Sequence, residues 1–259
     1  MRFLRRTRSE AGTKDLIYAR LEEAMERPEC PICLLLTKAE RGLIEEILYE
    51  HVQDPAVRKQ LRSSLGLCPY HAWLLHDISL SRPEMNGLGV TIIYEDMLST
   101  YLEALTSGEE QESKVGSGPC IVCEHVMEFE VGYVEAFAER AVRTDLLATY
   151  EESPSVLCIR HYRAVRDALK EVGGEATEVL ERLKAIQGRK IESLIKLMRE
   201  YVRKQDYRVK EEITAEEARA WRVALHVLKG GRNSPSILSY KIPKPKRGIL
   251  AKLSRRKRG

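Results

Sequence analysis

After Cys33 the apolar residues Leu36, Ala39, Leu43 and Ile47, with Ile44 and Leu48 beside them, recur at helical spacing and predict an amphipathic helix. Asp54-Pro55 marks the next helix start, with Asp as the cap and Pro in the first turn. A further helix is predicted from about Leu88, behind the turn signal Asn86-Gly-Leu-Gly89, to Leu105, where Ser107-Gly108 stops it. The later part of the chain repeats this plan and adds a long helix over about Glu175 to Lys204. Thr214-Ala-Glu-Glu217 forms a capping box for a last helix that Gly230-Gly231 ends. Only Tyr207 to Val209 suggests a short extended piece. The fold class is all-α.

The six cysteines show that the chain is built twice. Cys30-Pro-Ile-Cys33 is followed, after thirty-four residues, by Cys68-Pro-Tyr-His71. Cys120-Ile-Val-Cys123 is followed, after thirty-four residues, by Cys158-Ile-Arg-His161. Each of these ligand-type residues recurs ninety positions later, as do Glu40/Glu130, Gly42/Gly132, Val52/Val142, Leu67/Leu157 and Asp77/Asp167. This is a tandem duplication. It divides the chain into a basic arm (1–12), a first helical repeat (13–106), a polar glycine-bearing linker (107–119), a second repeat with C-terminal helices (120–231) and a basic tail (232–259).

Charge sharpens that division. The overall +4, less +10 in the last 28 residues and +4 in the first eight, leaves residues 9–231 at −10. With 43% hydrophobic and 32% charged residues the chain is globular, and no apolar run is long enough to cross a membrane. The basic start lacks the apolar stretch of a secretion signal, so the expected compartment is the cytoplasm. Few Asn and Gln beside many Lys, Arg and Glu lean towards a heat-adapted source.

A Cys-x2-Cys knuckle turns two thiolates onto one ion, and a Cys and a His three apart at a helix start project from one face. Two Cys3His sets are therefore expected to hold two zinc ions: Cys30, Cys33, Cys68 and His71, and Cys120, Cys123, Cys158 and His161. As structural sites they would clamp the helices of each half. Spacing leaves open whether each centre takes its ligands from one half or exchanges them. Iron–sulfur clusters are the alternative cofactor, and buried thiols or three disulfides are the plainer readings. The Cys-x2-Cys-His of c-type haem is excluded, since Leu34 and Glu124 follow the second cysteines. Glu40 and Glu130 either orient ligand histidines or, more ordinarily, lie on a solvated helix face. His125 reads as solvent-facing or behind a ligand, and His51, His76 and His226 as ordinary helix histidines.

Cys30-Pro-Ile-Cys33, Leu67-Cys68-Pro-Tyr-His71, Ile93-Tyr-Glu-Asp96, the second cysteine–histidine set, Tyr201-Val-Arg-Lys-Gln-Asp-Tyr-Arg208 and Trp221-Arg-Val-Ala-Leu225 together resemble a bacterial and archaeal domain-of-unknown-function family. The resemblance covers roughly residues 13–231. It implies the tandem helical plan and the paired sites, and brings no activity with it.

The tail lies beyond that resemblance. Lys241, Lys244, Lys246, Arg247, Lys252, Arg255, Arg256, Lys257 and Arg258 occur without one acidic neighbour, and Pro243 and Pro245 favour an extended chain. Such a segment suits RNA, threading between phosphates. No phosphate loop, dinucleotide fingerprint, zinc-protease motif or nucleophile elbow occurs, and no small-molecule substrate is evident. The expectation is a non-enzymatic zinc protein that binds RNA or a ribonucleoprotein, such as the ribosome, through its basic ends. An iron–sulfur redox protein and a metal-stabilised scaffold for protein partners are the alternatives.

Overall fold

The computed structural model describes residues 10–82, 87–172 and 176–231, which form eleven helices and no strand. They are α1 (Glu10–Met25), α2 (Pro31–Tyr49), α3 (Pro55–Ser64), α4 (Pro69–Ser81), α5 (Leu88–Ser107), α6 (Glu109–Glu112), α7 (Ile121–Arg143), α8 (Leu146–Glu152), α9 (Ile159–Val172), α10 (Ala176–Arg203) and α11 (Ala215–Lys229). Helices α2 to α5 and α7 to α10 are the two copies of the repeat. None of the helices is long and apolar enough to cross a membrane.

The compact units do not coincide with the sequence halves. Among the described residues, 10–35 and 130–231 make one unit and 36–129 the other. Both α2 and α7 are divided, each giving its first residues to one unit and the rest to the other.

In the first unit α10 packs against α8, α9 and α11. Val156, Leu194, Ala220, Val223 and Val227 form one of its buried clusters. The fully buried Tyr150 meets Phe137 edge-on, ring centroids 5.8 Å apart. Its hydroxyl accepts from the Leu157 amide at 2.9 Å and donates to Gln187, whose side-chain amide donates to the Leu157 carbonyl at 2.8 Å. These bonds satisfy the backbone of the turn leading to Cys158 and tie it to α10. The capping box at Thr214 is present, and its Glu217 also receives the nearly buried Lys204 at 2.7 Å. The extended piece expected at Tyr207 is instead a turn, with Val209 N–H donating to Asp206.

In the second unit Asp54 caps α3 as its sequence predicts, accepting from the amides of Ala56 and Val57. Asp96 of α5 receives both Arg58 and Arg62 of α3, at 2.9 Å each. The 107–119 linker is fastened to α3. Gly118 N–H donates to the Ser63 carbonyl at 2.9 Å, so close that a Cβ at Gly118 would lie 2.7 Å from that oxygen.

Candidate metal centres

All four ligand pairs are built alike. Cys30, Cys68, Cys120 and Cys158 each immediately precede a helix (α2, α4, α7 and α9), and their carbonyls accept the first helical bonds, from Leu34, Ala72, Glu124 and Tyr162. The second ligand of each pair lies three residues on, at the third helical position, so both side chains face forward from the helix start. Pro31 and Pro69 occupy first-turn positions where no amide bond is lost. The helix N-terminus is also the end that favours a negative sulfur.

The pairs then combine across the repeat. Cys30 and Cys33 meet Cys158 and His161, while Cys68 and His71 meet Cys120 and Cys123. In each group the four ligand atoms lie within 4.8 Å of one another and could hold a metal ion. The clamp expected within each half is thus a clamp between halves. Each compact unit contains one complete centre.

In the first centre His161 Nδ1 lies 3.4, 3.3 and 3.2 Å from the sulfurs of Cys30, Cys33 and Cys158, and the sulfurs of Cys33 and Cys158 are 3.8 Å apart. In the second, His71 Nδ1 lies 3.3, 3.5 and 3.4 Å from Cys68, Cys120 and Cys123, and Cys68 to Cys123 is 3.7 Å. All six cysteines are free thiols, so the disulfide reading fails. Every ligand is buried except Cys68, which is partly exposed.

With Nδ1 turned inward, Nε2 of each histidine faces a carboxylate. Glu130 Oε1 is 2.9 Å from His161 Nε2, and Glu40 Oε1 is 3.4 Å from His71 Nε2. Both carboxylates are buried, so the solvated-face reading of Glu40 and Glu130 is overturned. Helix α2 therefore gives Cys33 to one centre and Glu40 to the other, and α7 does the converse with Cys123 and Glu130.

The centres differ in what holds the carboxylate. Arg160 binds Glu130 with two hydrogen bonds, whereas Tyr70 takes the equivalent position beside Glu40. Burial, then the charge of Glu40, raises the Tyr70 phenol to about 12. In the first centre Gly231 N–H also lies 3.3 Å from Cys33 Sγ. Arg160, Tyr70 and Gly231 escaped the reading of the sequence. The only signal for the first two was their shared slot just before each histidine.

The titration of these groups explains why a cation suits them. Burial would lower both histidines, but the neighbouring sulfurs raise them, joined at His71 by Glu40: His71 rises to about 11 and His161 well above its ordinary range. Burial pushes the Cys30 thiol up, and hydrogen bonds with Cys123 and Cys68 do so for Cys120. Cys158 is pulled down by hydrogen bonds from Cys30 and Cys33. Each centre thus retains protons that a divalent cation would displace.

The four remaining histidines belong to neither centre: His51 lies beside Glu46, His76 beside Asp77, His125 beside Glu128, and His226 in the last turn of α11, where its carbonyl accepts from the Gly230 amide. The predicted nucleic-acid residues, Lys241 to Arg258, lie outside the described residues, as do residues 1–9 of the basic arm.

No protein-family profile and no solved structure matches the chain. It is 27% identical over 214 residues to an "Uncharacterized 23.9 kDa protein in xynA 3'region" of Caldicellulosiruptor sp. (strain Rt8B.4), covering 80% of this chain and 98% of that protein. That likeness accords with a group of proteins of unassigned function.

Proposed function

We propose that this is a non-enzymatic protein stabilised by two zinc ions, which binds RNA or a ribonucleoprotein through its basic ends. The two buried four-ligand clusters carry the first part. Two sulfurs about 2.3 Å from one tetrahedral ion stand about 3.8 Å apart, and a sulfur and an imidazole nitrogen about 3.5 Å apart. The Cys33–Cys158 and Cys68–Cys123 edges of 3.8 and 3.7 Å and the sulfur-to-nitrogen edges of 3.2–3.5 Å fit a single ion, with all ligand atoms of each centre within 4.8 Å. A multi-iron cluster places its ligands on different irons and needs wider edges, so the spacing favours zinc over iron–sulfur.

Four protein donors leave a tetrahedral ion no open position for substrate, which supports a structural role. Cys30, Cys33, Cys158 and His161 would hold one ion, and Cys68, His71, Cys120 and Cys123 the other. The metal would supply cohesion by joining two helix starts in each centre. Glu130 at 2.9 Å from His161 Nε2, and Glu40 at 3.4 Å from His71 Nε2, would hold the imidazole proton on Nε2 and so leave Nδ1 to the metal.

The RNA part rests on charge. Ten Lys and Arg with no acid in the last 28 residues suit a phosphate backbone, whereas residues 9–231, at −10, would repel one.

Metal analysis and a visible spectrum of protein purified without oxygen test the zinc: two zinc ions per chain and no colour are expected, and iron with sulfide would overturn it. Fluorescence anisotropy with a labelled single-stranded RNA tests the tail. Affinity should fall with salt at a log–log slope of roughly −0.7 per phosphate contact and vanish in a chain ending at Gly231. Equal binding by the shortened chain would overturn the assignment.

A second reading, a metal-stabilised scaffold for protein partners, is favoured by the exposed Trp221, Leu225 and Leu228, spaced along one face of α11. Absence of RNA binding even at low salt would turn the balance to it.

A further inference from the structure

The first unit contains a cavity of about 500 Å³ between α10, α11 and the turn before Cys158. Val156, Ile186, Leu194, Ala220 and Val223 give it an apolar floor, and all but Ile186 belong to one buried cluster. Its size and lining are those of a small-ligand site.

Its charged groups are unequal. Glu26, Glu151, Arg189, Glu216 and Arg219 are all exposed on the rim, and Arg189 is already paired with Glu151. Lys190 alone among the charged lining residues is half-buried. Its amine lies 4.8 Å from the ring centroid of the fully buried Tyr150 and donates to the Ser153 carbonyl. Burial holds that amine down to about 8, against the pull of Glu151. A cation withdrawn from water beside a carbonyl and a ring, with no carboxylate bonded to it among the described residues, is incompletely compensated.

We propose that this cavity binds a small amphipathic carboxylate, an apolar chain lying over Leu194 and Val223 with its single negative charge at Lys190. The carboxylate would give Lys190 the counter-charge that the protein withholds. With Arg189 paired to Glu151, the rim sets Glu26 and Glu216 against Arg219 and offers no surplus of positive charge, so a nucleotide or other polyanion is a poor fit. This proposal does not rest on the RNA reading.

The test is calorimetric titration of the full-length, metal-loaded protein with decanoate. Decan-1-ol (the same chain without charge) and acetate (the charge without the chain) are the controls. Decanoate should bind at least tenfold more tightly than either. Lys190→Met should weaken decanoate at least tenfold while leaving decan-1-ol unchanged. Ser193→Trp, which places bulk at an exposed lining position, should block both, with metal content and circular dichroism unaltered. Failure of decanoate to bind, equal affinity for decanoate and decan-1-ol, or an unchanged affinity in Lys190→Met would each overturn the proposal.

Discussion

Arg160 grips Glu130 through two hydrogen bonds, 2.8 Å from Nε to Oε1 and 3.0 Å from Nη2 to Oε2, and the same Oε1 lies 2.9 Å from His161 Nε2. A guanidinium therefore fixes the carboxylate that fixes the ligand imidazole. Partners of this kind behind a metal ligand are worth about 10- to 100-fold in metal affinity. Glu130→Gln should weaken the first centre by that factor and leave the second unchanged. Competition with a chromogenic chelator, read as two separate binding steps, measures it. Arg160→Ala should give a smaller loss in the same step.

The second centre has Tyr70 in the slot that Arg160 fills in the first, has the longer 3.4 Å carboxylate contact and contains the partly exposed Cys68. Chelation of the zinc-loaded protein should therefore empty the two centres in sequence, the second centre first. During the first phase an alkylating reagent should label Cys68, Cys120 and Cys123 before Cys30, Cys33 and Cys158, as peptide mass spectrometry would show.

Lys190 links stability to alkaline pH. Its folded value of about 8 lies below the ordinary 10.5, mainly through burial. Between those values the unfolded chain holds the extra proton, so this residue makes stability rise with pH across that window and weighs fully against the fold below it. Lys190→Met should raise the melting temperature at pH 7 and flatten that rise. A series of thermal scans from pH 7 to 11 reads both effects.

Asp96 acts at the acid end. Burial would raise its carboxyl, but hydrogen bonds and charge from Arg62 and Arg58 hold it below the ordinary 3.8. Its contribution is fully present above that value and is lost as pH falls through the lower folded one. Asp96→Asn should weaken the second unit at neutral pH and remove this part of the acid dependence in urea titrations.

Two glycines separate packing from propensity. A Cβ at Gly118 would stand 2.7 Å from the Ser63 carbonyl oxygen and 2.8 Å from its carbon, so Gly118→Ala should cost about 1–3 kcal/mol. Gly188 lies inside α10 with nothing within 4 Å of a Cβ, and Gly188→Ala should stabilise by about 0.5–1 kcal/mol. Urea midpoints of the two variants should move in opposite directions.

The helices were readable because apolar spacing, Asp54-Pro55 and Thr214-x-x-Glu217 are local signals, and local contacts form them. The eight ligand residues were readable from their ninety-residue offset. Their partners were not, because identical spacing in both halves makes Cys30 with His71 and Cys30 with His161 equally good on paper. The roles of Glu40 and Glu130 depended on which face of α2 and α7 turns inward, a matter of tertiary packing. The docked linker followed from one close approach, Gly118 to Ser63, which composition does not reveal.

The exchange of ligands between repeats has a consequence for any fragment of this chain. One repeat alone carries a Cys-x2-Cys and a Cys-x2-His that belong to different centres, so it owns two half-sets and completes neither. During synthesis the first centre stays open until residue 161 has been made. Cut in the 107–119 segment, the two pieces should each hold metal weakly, and mixed with zinc they should recover both centres as a non-covalent pair. In the intact chain that segment converts an encounter between two molecules into one within a single molecule, which removes its dependence on concentration.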